Sequence, residues 1–168
     1  VANFVHDYFV IKRNVFATLK NSTYISKFNE DWGKTGDEQC PQSYSHYADL
    51  AMETILELLT EKMNKETSLK LSPTYSYARI YNKGAILQKH KDRYSCEVST
   101  TLNLGGDMWP IYLEDMKGKE IEVKLSPSDM LIYSGCELNH WRNKFEGDQC
   151  VQVFLHYNDT SNSGWEKN

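Results

Sequence analysis

Between Tyr47 and Met63 the apolar positions fall at Tyr47, Leu50, Ala51, Ile55, Leu58, Leu59 and Met63, a spacing that gathers side chains on one face of a helix. Ser43 or Ser45 is placed to cap its start, and Pro41 lies just upstream, where a helix cannot already be running. The apolar stripe needs a surface to pack on. After about residue 70 the rhythm shortens to segments rich in Val, Ile, Tyr and Thr, punctuated by Gly, Pro, Asn and Asp. Strands are predicted over 75–81, 85–90, 97–104, 109–113, 120–125, 130–133, 138–142 and 150–157, joined by the turn signals "NKG", "GGD", "MKGK", "SPSD" and "FEGD". A helical preface followed by these strands predicts a mainly β sandwich or barrel with helices packed outside it. The first 45 residues carry the weakest pattern, no internal repeat is visible, and the ending "NDTSNSGWEKN" is polar enough to fray.

With 168 residues, the chain reads as one domain. Residues 1–70 form a helical support, 71–158 a β-barrel core and 159–168 a polar tail. Hydrophobic residues at 40% and charged residues at 25% are ordinary globular usage, which sets aside disordered and fibrous classes. A net charge of −4 argues against affinity won by neutralising many phosphates, so nucleic acid is not an expected partner. The four cysteines, Cys40, Cys96, Cys136 and Cys150, show no C-x-x-C spacing, and a core of this size needs no disulfide framework. Reduced thiols and a cytoplasmic, soluble protein are expected. No apolar run approaches the roughly 20 residues of a membrane span, and the opening "VANFVHDYFVIKRNV" lacks a signal-peptide layout. A monomer or homodimer is expected.

The chemistry centres on "QKHKDRYSC". Residues i and i+2 of an extended segment share a face, so His90 and Asp92 can reach one ion. His140, in "SGCELNHWRN", follows a strand and a Gly turn and is a candidate third ligand. Two histidines and a carboxylate on one side of an ion leave the opposite positions open, as in non-haem iron(II) oxygenases. A structural zinc site tends to close with four protein ligands, usually including cysteine. The alternative is a solvated His90–Asp92 pair with His140 a hydrogen-bonded strand residue.

The stretches "YARIYNKGAILQKHKDRYSCEVSTTLNLGG", "GKEIEVKLSPSDMLIYSGCELNHWR" and "FEGDQCVQVFLHYN" together resemble the iron(II)- and 2-oxoglutarate-dependent dioxygenases, in particular their small prolyl-4-hydroxylase-like branch, known as stand-alone domains in bacteria and phages. The similarity covers about half the chain and includes Tyr81, Gly84, His90, Asp92, the "TLNL" strand, Gly135 and His140. It implies a double-stranded β-helix, the jelly roll or cupin-like barrel, with N-terminal helices packed on one sheet. It also implies Fe(II) held by His90, Asp92 and His140, 2-oxoglutarate as cosubstrate, O2, and ascorbate as an accessory reductant. Hydroxylation of a C–H bond would then accompany decarboxylation of 2-oxoglutarate to succinate.

One departure stands out. The family places Arg or Lys nine or ten residues after the distal histidine to hold the 2-oxoglutarate 5-carboxylate, and those positions here are Gln149 and Cys150. Arg142, sharing the face of His140, is the expected substitute, with Gln152 a neutral second choice. Tyr81 and Thr101 match positions that assist the cosubstrate. Arg93, Trp109 and Trp141 are the weaker candidates for substrate contact. The resemblance favours a prolyl residue of a peptide or protein as substrate. A free amino acid, another small molecule or a nucleobase is the alternative, as is a cupin-like metal-binding domain without turnover.

Overall fold

The computed structural model describes residues 1–24, 26 and 29–161. Two helices and ten strands follow one another as α1 (Ala2–Asn21), β1 (Lys34–Thr35), β2 (Ser43–Tyr47), α2 (Leu50–Thr67), β3 (Leu71–Asn82), β4 (Leu87–His90), β5 (Val98–Gly106), β6 (Ile111–Glu114), β7 (Glu120–Val123), β8 (Met130–Ser134), β9 (His140–Arg142) and β10 (Gln149–Asp159). The strands form a six-stranded sheet, β1-β2-β3-β10-β5-β8, and a four-stranded sheet, β4-β9-β6-β7. Every pairing is antiparallel. All eight strands expected after residue 70 are present, with shifted ends.

The first 70 residues hold more than helices. Ser43–Tyr47, read as the approach to a helix, is instead a strand paired with β3, so neither Ser43 nor Ser45 caps anything. Asp49 does, accepting from the backbone N–H of Ala51 and Met52. The helix therefore starts three residues later than expected, and its stripe is rotated. Leu50 and Leu58 lie on the exposed side, while Met52, Leu56 and Met63 are buried. The cause is Tyr47, which the periodicity counted as helical and the sheet claims as strand. At the other end Ser68 adopts a left-handed conformation, φ 58°, closing the helix.

One buried cluster joins Val5, Phe9 and Phe16 of α1 and Met52, Leu56 and Met63 of α2 to Ala78 and Ile80 of β3, Leu104 of β5 and Val151, Val153 and Leu155 of β10. The strand members alternate, as a half-buried face requires. The intervening residues Tyr75, Tyr77, Arg79 and Tyr81 on β3, and Cys150, Gln152, Phe154 and His156 on β10, are cross-strand neighbours on the opposite face. The large sheet thus carries an apolar face toward the helices and a polar, aromatic face toward the small sheet. All four cysteines are free thiols. Residues 162–168 of the expected polar tail lie outside the described residues. Among the described residues, no helix is long and apolar enough to cross a membrane.

Candidate metal centre

Strands β4 and β9 pair so that His90 and His140 face each other directly, with ring centroids 4.3 Å apart. Asp92 follows the end of β4, its backbone N–H donating to the Gly135 carbonyl at 2.9 Å in the turn that leads out of β8. The Asp92 Oδ1 atom lies 3.6 Å from His90 Nε2 and 3.5 Å from His140 Nε2. One ligand atom from each residue falls within 4.8 Å of the others. The three residues predicted as ligands therefore converge on one point, in the wall of a cleft of about 670 Å³.

Their supports fit a cation. His90 Nδ1 bonds the Gln88 carbonyl at 2.7 Å and His140 Nδ1 bonds the Leu138 carbonyl at 3.0 Å. Each carbonyl accepts a hydrogen bond from Nδ1–H and so fixes the tautomer whose Nε2 carries the lone pair, the second-sphere arrangement typical of ligating histidines. Ser99 Oγ donates to Asp92 Oδ2 at 2.9 Å and also contacts His156 Nδ1 at 3.0 Å, leaving Oδ1 aimed at the histidines. Burial raises the Asp92 pKa, but hydrogen bonds to His140 and His90 outweigh it and hold the carboxyl well below the usual range. Burial opposes charge on His90 as well, yet its bonds to Asp92 and the Gln88 carbonyl raise its pKa on balance. His156, deeply buried, is pushed down to about 4 and is neutral. Asp92, Cys96 and His156 form a second convergent group. Its members are already engaged, however, Cys96 Sγ with the Tyr75 hydroxyl at 3.0 Å and His156 with Ser99.

Arg142 lies one strand turn from His140 on the same face of β9 and is 1% exposed. Its guanidinium donates to the Trp109 carbonyl and, at 3.3 Å, to Thr101 Oγ1, and stacks 5.2 Å over the Trp109 ring. Its Nε is buried without a partner. Among the described residues no carboxylate lies within ion-pair distance of Arg142. A buried cation without a counter-ion is costly. Tyr133, in the wall of the cleft, feels the charges of both Asp92 and Arg142. Tyr81, fully buried, is also close enough to Arg142 to feel its charge.

Thr101 donates to Gln152 Oε1 at 3.0 Å, and Gln152 Nε2 donates to Asn103 at 3.1 Å. Arg142, Thr101, Gln152 and Tyr81 are thus assembled in one buried region. Arg93 is exposed at the cleft mouth, its Nε donating to the Tyr75 hydroxyl at 3.3 Å. The two tryptophans are not brought to the cleft. Trp109 is buried against Tyr81 and Phe145, a packing role. Trp141, between the inward residues His140 and Arg142, turns to the other face of β9 and stacks on Tyr112 at 5.8 Å.

Three contributors escaped the sequence reading. Arg79 is buried in the cleft wall, but Asp37 neutralises it through a 2.5 Å ion pair. Gln39 bridges Arg79 and His90, accepting at 3.0 Å from Arg79 and lying 3.2 Å from His90 Nε2. Tyr133 completes the set. Strict alternation along "YSYARIY" would have placed Tyr75, Tyr77 and Arg79 on the face of Tyr81; nothing local marks Gln39.

No protein-family model and no curated protein matches the sequence. The fold, in contrast, is shared with solved structures of prolyl-4-hydroxylases and 2-oxoglutarate-iron(II) oxygenases. A prolyl-4-hydroxylase from Pseudomonas putida superimposes with a TM-score of 0.57 at 18% identity, over 70% of this chain and 71% of that one. HygX from Streptomyces hygroscopicus, solved with nickel and 2-oxoglutarate bound, gives 0.59 at 13% identity over 76% and 74%. AviO1 from Streptomyces viridochromogenes gives 0.64 at 16% identity over 91% and 83%.

Proposed function

We propose that the chain is an iron(II)- and 2-oxoglutarate-dependent dioxygenase that hydroxylates a C–H bond, on a double-stranded β-helix scaffold buttressed by α1 and α2. The observation that carries this reading is the His90–Asp92–His140 triad together with a buried, carboxylate-free Arg142 two residues along β9 from His140. A metal-binding domain without turnover accounts for the triad but leaves that cation unexplained. A five-carbon dicarboxylate answers both, with one end at the triad and the far carboxylate on Arg142.

His90 and His140 would hold the ion through Nε2 and Asp92 through Oδ1, leaving its other positions open. The bound iron would supply the oxygen chemistry. The chain's own residues do the rest. The Gln88 and Leu138 carbonyls set both histidine tautomers, and Ser99 fixes the carboxylate. Thr101 and Gln152 orient Arg142, whose two donors can grip a carboxylate in a planar fork. Trp109, Tyr81 and Phe145 close the inner end against water. A prolyl residue in a peptide or protein is the favoured target, with O2 and ascorbate as the remaining reactants.

The test is anaerobic titration with Fe(II) and then 2-oxoglutarate, followed by the visible charge-transfer band of the chelate. Wild type is expected to form the band. His90→Ala should abolish it, and Arg142→Gln should raise the 2-oxoglutarate Kd at least tenfold while Fe(II) binding persists. Metal binding without any band would sink the assignment.

A further inference from the structure

A second cleft, of about 810 Å³, opens beside the metal cleft, and the two share Lys34, Tyr47, Tyr77 and Arg93 in their walls. A small-molecule site rarely exceeds about 1,000 Å³; here two cavities have four wall residues in common, which form one junction. That junction has a distinct chemistry. Arg93 stacks 4.8 Å over the Tyr75 ring, Tyr75 packs at a tilt 4.9 Å from the Tyr47 ring, and Tyr47 is 54% exposed.

Of the cations around the junction, Arg79 and Lys12 are already spoken for, by Asp37 and Asp49. Arg93 and Lys34 are different. Among the described residues neither has a carboxylate within ion-pair distance. Arg93 is exposed and donates through Nε to the Tyr75 hydroxyl at 3.3 Å, with Cys96 also beside its side chain. The exposed carboxylates Glu30 and Asp31 line only the second cleft, so an anion is favoured at the junction and disfavoured beyond it.

We infer that the substrate is an extended molecule carrying one oxyanion next to its reactive carbon, held by Arg93 and Lys34 over the Tyr47–Tyr75 shelf, with an uncharged extension in the second cleft. This rests on the oxygenase reading above. A stacked arginine is held in place by its ring, so little side-chain freedom is lost when it binds an oxyanion. Carboxylate and phosphate present the same chemistry to this pair.

The test uses the full 15N-labelled chain and three probes: acetyl-Pro-Glu-Gly-Gly-Gly amide, its Gln counterpart, and the counterpart with phosphoserine at the acidic position. Saturable shifts of the Arg93 Nε–H and of the amides of Lys34 and Tyr47 are expected with the acidic probes. The Gln peptide should bind at least tenfold more weakly. Tighter binding of the Glu peptide or of the phosphoserine peptide identifies which oxyanion is meant. Arg93→Gln and Lys34→Gln should each weaken the acidic probes about tenfold; both positions are at the surface, and an unchanged wild-type-like spectrum elsewhere verifies the fold.

Equal binding of the Gln peptide, shifts mapping elsewhere, or unaltered affinity in both variants overturns the inference. The chelate titration on the same wild-type preparation separates the two readings. A chelate band without acidic-probe binding overturns this inference alone. Probe binding without a band overturns the oxygenase reading, and with it the claim that the anion belongs to a substrate.

Discussion

One added methyl group at position 135 measures how closely the centre is assembled. A Cβ on Gly135 would lie 2.2 Å from Ser99 Oγ, 2.6 Å from Asp92 Oδ2 and 2.5 Å from the Cys96 carbonyl, and the last of these belongs to the backbone and cannot rotate away. Gly135→Ala is therefore expected to displace Asp92 and weaken metal binding at least tenfold, read by competition with a chromophoric chelator. Ser99→Ala removes the bond that reserves Oδ2 and should cost about 10–100-fold in the same assay. If both variants bind as wild type does, Asp92 is not held in the way described. At this scale the triad was legible, because two of its members are neighbours along the chain and the third follows a Gly turn. That Arg142 shares the strand face of His140 was legible through their two-residue offset. Gln39 and Tyr133 were not, since each reaches the site from a segment whose local pattern is ordinary and only the tertiary fold brings it in.

At the scale of elements, Asp49 holds the junction of β2 with α2. Fully buried itself, it caps the helix and accepts from Lys12, from Tyr8 at 2.9 Å and from His46 at 3.0 Å. Burial pushes its pKa up, but the bonds from His46, Lys12 and Tyr8 prevail and hold it well below the usual carboxylate range. The sign follows: a carboxyl depressed on folding adds stability above its unfolded value near 4, and that contribution is lost as pH falls toward the folded value. Asp49→Ala should lower unfolding stability by about 3 kcal/mol at pH 7, combining a lost cap with an unpaired Lys12. The deficit against wild type should shrink as pH falls below about 4, as urea titrations at pH 7 and 3 would reveal. The eight later strands were legible because turn residues bracket each of them. Strand β2 was not, since Tyr47 and Ala51 continue a helical spacing backward and only pairing with β3 breaks it.

At the scale of the whole molecule, ligands that bind the folded chain alone raise its stability by mass action, about 2.7 kcal/mol at a hundredfold excess over Kd. Fe(II) with 2-oxoglutarate, added without oxygen, should therefore raise Tm by roughly 5–10 °C for a chain of this size. Removing the metal by dialysis should reverse the gain, and an unchanged Tm would speak against a metal centre. The large sheet gives that measurement a wider meaning. Its helix-facing side, with Ile80, Val151, Val153 and Leu155, provides much of the burial that folds the chain, whereas the opposite side, with Tyr77, Arg79 and His156, lines the cleft of the proposed metal centre. Folding and reactivity are thus written on alternate letters of the same strands. A lineage can rewrite one set while leaving the other intact, and an engineer seeking a new substrate can do the same.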